Sequence, residues 1–247
     1  MNPHDRVVED AARAKRTVML VGGLDVGKTT LARRLLAAAL AGGRAGAYLD
    51  TDLGQKTVGP TTAVTLKLVR SDADLAPEAL AREDAMAFVG GTSPQSHLLP
   101  LVTGATRLLR LARERGAEFV VVDTSGLVSG VFGQITKYHK VEMLEPDLVI
   151  GLQRGEELLP LLGVIQRFFA TEVIPLGEVP GVVATSVEER ADNREAAMRR
   201  YFSGEIHRFR VKPTVFMPAL PPLFDLAELN RLVVGLSDGA GATTGLG

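Results

Sequence analysis

The run Gly22-Gly23-Leu24-Asp25-Val26-Gly27-Lys28-Thr29 matches G-x-x-x-x-G-K-[ST] without a mismatch, and its residue types suit the wrapping of backbone around phosphate. Glycines let consecutive N–H groups point inward, and a helix beginning at Lys28 adds the positive end of its dipole. The spacing predicts a nucleotide cradle of Gly23, Leu24, Asp25, Val26, Gly27, Lys28, Thr29 and Thr30. Lys28 is expected to bridge the β- and γ-phosphates of an NTP, and Thr29 to offer its hydroxyl to Mg²⁺. A phosphate cradle alone does not separate a kinase from a GTPase or an ATPase.

Carboxylates supply the second candidate group. Asp50 and Asp52 follow the apolar run Ala45–Leu49, and Asp123 ends the β-prone run Phe119–Val122. In open parallel sheets ligands bind at the carboxyl ends of strands, where the glycine loop also lies. An acid there can hold Mg²⁺ or accept a proton from an attacking hydroxyl. Asp50, Asp123 and Thr29 are therefore the candidate metal ligands. Period-2 geometry puts Asp50 and Asp52 on one side, so that one can address the metal and the other the acceptor. The competing role for Asp50 is to cap the next turn or pair with a nearby lysine.

The elements that must hold these residues read as alternating strands and helices. Strands are expected at 17–23, 45–49, 62–69, 85–89, 119–122, 148–152 and 173–176, and helices at 28–41, 95–115, 133–144, 156–162 and 186–202. Extended structure is expected over Ile206–Met217, and the Gly-rich end GLSDGAGATTGLG begins no convincing element. Alternation of this kind predicts an α/β fold, a P-loop NTPase whose mainly parallel sheet carries helices on both faces.

Composition narrows the chemistry. The 247 residues are 46% hydrophobic and 23% charged with net charge −1, so any polyanion must be held by a local cluster of cations. The absence of cysteine excludes disulfides, thiolate metal sites and a cysteine nucleophile. No apolar run approaches the ~18 residues that suggest a membrane span. The N-terminus has no apolar signal region, and the chain reads as soluble and cytoplasmic.

Five stretches, in order, resemble the polynucleotide 5′-hydroxyl kinase family, which includes the RNA kinase of the eukaryotic pre-mRNA cleavage complex and archaeal and bacterial stand-alone kinases. They are Asp25-Val26-Gly27-Lys28-Thr29; Asp52-Leu53-Gly54-Gln55 with the following Gly59-Pro60-Thr61-Thr62; Gly90-Gly91-Thr92-Ser93-Pro94 with His97; Asp123-Thr124-Ser125-Gly126; and Arg190 with Arg194 before Tyr201-Phe202. The resemblance covers residues 17–203. It implies transfer of the γ-phosphoryl group of ATP or GTP, with Mg²⁺, to a 5′-OH end of RNA or DNA.

On that resemblance Asp52 is the general base, and Lys28, Arg190 and Arg194 are the catalytic cations. Arg190 and Arg194, at i,i+4 spacing, would ride on a lid helix and close over the nucleotide. Gln55, Lys56, Thr92, Ser93, Thr124 and Ser125 fall to substrate binding, with Lys56 either on the nucleic-acid backbone or simply exposed. The chain then divides into an N-terminal extension (1–16), a P-loop kinase domain (17–203), and a short β-rich segment with a flexible tail (204–247).

Two features depart from the family. Leu127 stands where many relatives carry a tryptophan that stacks on a base, a contact worth about 1–3 kcal/mol, and Phe132 or Tyr138 could take over that contact. Eukaryotic members carry an extra β-rich domain before the kinase core and another after it; here about 16 residues precede the first expected strand, and Asn230–Leu236 resembles the opening of the trailing domain, cut short. The sequence leaves open a regulatory P-loop NTPase (a hydrolytic switch or a metallocofactor-assembly factor), a non-catalytic nucleotide-binding scaffold, and a small-molecule kinase.

Overall fold

The computed structural model describes residues 2–205, 207–208, 210, 212, 215–216, 225–239 and 242–247. The chain begins with α1 (Pro3–Ala14), β1 (Thr17–Gly22), α2 (Lys28–Ala41), β2 (Gly46–Asp50), β3 (Ala63–Val69), a short α3 (Pro77–Leu80) and β4 (Ala85–Phe88). It continues through α4 (Leu98–Glu114), β5 (Phe119–Asp123), α5 (Gly130–Leu144), β6 (Leu148–Gln153), α6 (Leu159–Phe168), β7 (Glu172–Gly177) and α7 (Val187–Tyr201). A hairpin of β8 (Gly235–Ser237) and β9 (Thr243–Leu246) ends it.

All six residues of β1 are buried, as an apolar strand covered on both faces requires. The sheet order is β7-β6-β1-β5-β2-β3-β4-β9-β8. Neighbours from β7 to β2 are parallel, and those from β2 to β8 are antiparallel. The expected mainly parallel sheet is parallel through its core strands, from β7 to β2, and continues into an antiparallel half. The connections from β2 to β3 and from β3 to β4 hold no helix longer than four residues to carry the chain across the sheet, so these strands fold back on one another.

Pleating sends alternate residues of each strand to opposite sides. Val18, Leu20, Tyr48 and Val121 meet α1 and α2 on one face, while Met19, Val21, Leu49 and Val122 meet α4, α5 and α6 on the other. β5 lies between β1 and β2, and Asp50 pairs in register with Asp123. The glycine loop after β1 and both acidic strand ends therefore share one edge of the sheet.

Two terminal segments depart from expectation. The N-terminal stretch is a helix capped by the Asn2 side chain, with Val8, Ala11 and Ala12 buried against α2 and His4 Nε2 2.9 Å from the Gly177 carbonyl oxygen. Its apolar face is only alanines and two valines, Val7 and Val8, so charge dominates its sequence. The Gly/Thr-rich end adds β9 to β4, where Thr243 Oγ1 accepts from the Phe88 N–H at 3.0 Å. Half of Ile206–Met217 lies outside the described residues.

Candidate active site

Gly27, the N-cap of α2, has φ +91°, and a Cβ on it would stand 2.5 Å from Cβ of Val179. Only glycine meets both constraints, so the loop between β1 and α2 can press against the segment after β7, where Val179 N–H donates to Val26 O at 3.0 Å. Inside this loop Lys28 Nζ donates to the carbonyl oxygens of Gly22 (3.1 Å) and Gly23 (2.5 Å). Burial lowers the Lys28 pKa, and Asp123, Asp52 and Asp25 oppose that effect.

Asp123 closes the floor. It is buried, and its Oδ2 accepts from Tyr48 OH (2.5 Å) and Thr29 Oγ1 (3.1 Å). Its Oδ1 is buried without a hydrogen-bond partner among the described residues. Burial raises the Asp123 pKa against the pull of Lys28. A carboxylate that holds the Thr29 hydroxyl on one oxygen and leaves the other without a partner among the described residues fits Mg²⁺, which takes one or two protein oxygens and otherwise phosphate and water. No group of three or more His, Cys, Asp or Glu side chains able to hold a metal occurs among the described residues.

Asp50 has a different use. Its carboxylate accepts from the N–H groups of Asp52 (3.0 Å), Thr57 (2.8 Å) and Val58 (3.0 Å), and pairs with Lys56 Nζ at 3.0 Å. Of the two roles open to it from sequence, the structure shows the turn cap and lysine partner, with no oxygen left facing Asp123 as a free ligand. Lys56 corrects an expectation outright. Its side chain is 0% exposed, so neither nucleic-acid contact nor simple exposure describes it; burial inside the ion pair holds the 51–58 loop shut.

Asp52 stands free by comparison. Oδ1 accepts from the Gly54 (2.9 Å) and Gln55 (3.0 Å) N–H groups, while Oδ2 has no hydrogen-bond partner among the described residues. Asp52, Lys28, Thr29, Asp123 and Arg190 line one cleft of about 560 Å³. Gln55 also lines it, and its Nε2 donates to the Arg190 carbonyl at 3.2 Å, which ties the acidic loop to α7.

The α7 helix starts at a capping box between Ser186 and Glu189. Arg190 Nη2 donates to Asp25 Oδ2 at 2.6 Å. Burial pushes the Asp25 pKa up, but the Thr185 N–H and Arg190 outweigh it, and the net shift is downward. Arg194 does not join Arg190 in the cleft; Asn193 and Arg200 do. The inward face follows i, i+3, i+10, and i+4 falls beside it.

The remaining expected site residues lie around this centre. Thr124 is buried in the floor, its hydroxyl donating to Leu20 O at 2.7 Å. Ser125 accepts from Lys137 Nζ through both its carbonyl oxygen (2.8 Å) and Oγ (3.2 Å). Thr92 and Ser93 are exposed and do not line the cleft, though a Cβ on Gly54 would meet Thr92 O at 3.1 Å. Leu127 and Phe132 are exposed on the segment after β5, while Tyr138 packs edge-on against Phe169 at 4.9 Å.

Sequence reasoning missed Tyr48, the cleft arginines Arg33 and Arg200, and the lysines Lys137 and Lys140. The lysines did leave a signal. Gly133, Thr136, Lys137, Lys140, Val141 and Leu144 form the buried face of α5, and a charge at two positions of a buried stripe is anomalous.

A strand, a glycine loop, a helix led by lysine and a buried acid on the adjacent strand define a P-loop NTPase. Residues 22–204 match the family described as mRNA cleavage and polyadenylation factor CLP1 P-loop, and the chain belongs to that family. It is 32% identical over 208 residues to a polyribonucleotide 5′-hydroxyl-kinase of Pyrococcus horikoshii, covering 81% of this chain and 54% of the relative. A kinase of the same name from Methanocaldococcus jannaschii is 34% identical over 185 residues, covering 75% and 50%. A CLP1 homolog of Culex quinquefasciatus is 31% identical over 222 residues, covering 83% and 52%. The chain thus spans about half the length of the curated relatives it matches. A solved complex of Clp1p with Pcf11p superposes with TM-score 0.64 at 15% identity, covering 81% of this chain and 53% of that one.

Proposed function

We propose that the chain is a polynucleotide 5′-hydroxyl kinase that moves the γ-phosphoryl group of an NTP, ATP or GTP, onto the 5′-OH end of RNA or DNA. The observation that carries this reading is Asp52, a carboxylate with one oxygen anchored and the other unpartnered among the described residues, in the cleft that holds Lys28. A nucleotide switch needs a positioned water; a kinase needs a base beside room for an incoming hydroxyl. Relatives named polyribonucleotide 5′-hydroxyl-kinases, at 32–34% identity, support it.

In this reading Lys28 and the loop N–H groups neutralise the phosphates, and Arg190 leaves Asp25 to meet charge on the transferred group. Thr29 and Asp123 would hold Mg²⁺, which supplies charge neutralisation between the phosphates. Asp52 takes the hydroxyl proton, and Gln55 lies toward the acceptor. The test is transfer of label from γ-labelled NTP to a 5′-OH oligonucleotide, run with matched RNA and DNA acceptors and a mononucleoside. Labelled oligonucleotide is the expected product; labelled free phosphate alone would identify a hydrolytic switch, and preference for the mononucleoside a small-molecule kinase.

A further inference from the structure

Lys137 and Lys140, one turn apart on α5, are both fully buried. A buried ammonium is expensive unless it is paired, yet neither lysine forms a salt bridge among the described residues. Each caps oxygens of a strand-end loop instead. Lys137 takes the loop after β5, through Ser125. Lys140 takes the loop after β2: its Nζ donates to Thr51 Oγ1 at 2.7 Å and Thr51 O at 3.1 Å.

Thr51 is itself stitched across to β5, where its N–H (3.0 Å) and hydroxyl (2.7 Å) both donate to the Asp123 carbonyl oxygen. Thr51 O belongs to the peptide group that leads into Asp52. The other end of that peptide, the Asp52 N–H, donates to Asp50 Oδ1 at 3.0 Å. A peptide group is planar, so gripping its oxygen from one side and its N–H from the other stops it from rotating. The Asp52 Cα, from which the side chain leaves the backbone, is thereby held in place, while the Gly54 and Gln55 N–H groups hold the carboxylate itself.

The geometry points to Lys140 as a positioning residue for phosphoryl transfer, acting through the Thr51–Asp52 peptide to aim the Asp52 carboxylate at the incoming hydroxyl. The inference rests on the assignment of Asp52 as the base. Asp52, Asp50 and Asp123 all favour the charged form of Lys140, while burial and Lys56 oppose it. An ammonium without a carboxylate partner of its own among the described residues thus also offsets three acids at the cleft floor.

The experiment is Lys140→Met, which keeps the length of the side chain and removes the clamp. Hydrogen exchange should speed up by roughly tenfold or more at the amides of residues 52–55. The kcat should fall roughly tenfold to a hundredfold, the penalty of a small misplacement, while KM for NTP changes less than about threefold. In an Asp52→Asn background the same substitution should lower the residual rate little further, because both changes disable one group. Thr51→Val, which deletes only the hydroxyl that Lys140 caps, should give a smaller loss of the same kind and serves if Lys140→Met does not fold. Unchanged exchange at 52–55 would overturn the clamp, and a full extra loss of rate beside Asp52→Asn would show a structural role unconnected with the base. Exchange needs no acceptor, so failure of the wild-type chain to phosphorylate a 5′-OH end would strike the proposed activity and leave the clamp to be judged separately.

Discussion

Three acids at the strand ends sit in three different surroundings, and each is open to a different task. Asp50 is consumed by backbone N–H groups and Lys56, Asp123 keeps one buried oxygen unpartnered, and Asp52 keeps one oxygen toward the cleft. The two arginines of α7 separate in the same way. Arg190 reaches Asp25 of the glycine loop, whereas Arg194 lies outside the cleft lining. An arginine that meets the transferring phosphoryl group can contribute on the order of 10³-fold in rate. Arg190→Ala is therefore expected to lower kcat by about that factor with a smaller change in nucleotide affinity, and Arg194→Ala to lower it less. Equal losses from both substitutions would mean that α7 turns on closing and that the inward face seen here is not the working one.

At the scale of elements, the glycine loop works because its neighbours leave no room for anything else. Gly27 is left-handed and a Cβ there would overlap Val179, with Val182 Cγ2 at 3.0 Å. Gly27→Ala carries a conformational penalty of about 1–2 kcal/mol before any steric overlap is counted. Denaturant unfolding should show a loss of at least that size, and titration should show weakened NTP binding as the loop lifts off the 178–183 segment. Retained stability and affinity would mean that the segment yields freely and does not shape the cradle. The antiparallel half of the sheet has a comparable role, since Thr65 Oγ1 donates to Val58 O at 2.7 Å and so anchors the far end of the acidic loop to β3.

For the molecule as a whole, the charge buried beneath the cleft makes stability depend on pH. Burial lowers Lys140 from 10.5 to about 8. Below pH 8 both folded and unfolded chains hold this proton, and the penalty of burying the charge is fully present. Between pH 8 and 10.5 the unfolded chain binds more protons, so stability rises with pH and the penalty, roughly 3 kcal/mol, is relieved. Unfolding free energies measured at both ends of this window should show wild type gaining stability relative to Lys140→Met as pH rises. A constant difference would place the lysine in contact with water.

Much of this arrangement could be read from the residues alone. The strand–loop–helix of the cradle, the acidic strand ends and helices on both faces follow from local pattern and spacing, because each is written within one stretch of chain. What escaped depends on distant partners. Whether Asp50 is free depends on Lys56 folding back onto it, and Lys140 matters only because α5 crosses beneath Thr51. The β8–β9 hairpin has no apolar periodicity to announce it and forms on an edge that β4 provides.

The account turns on Asp52 as the proton acceptor, and Asp52→Asn tests it most directly, since the amide keeps the shape and loses the basicity. Nucleotide affinity by titration should stay close to that of wild type while kcat for transfer to a 5′-OH oligonucleotide falls roughly 10²–10⁴-fold. Near-normal turnover, or a collapse of NTP affinity in step with the rate, would contradict it.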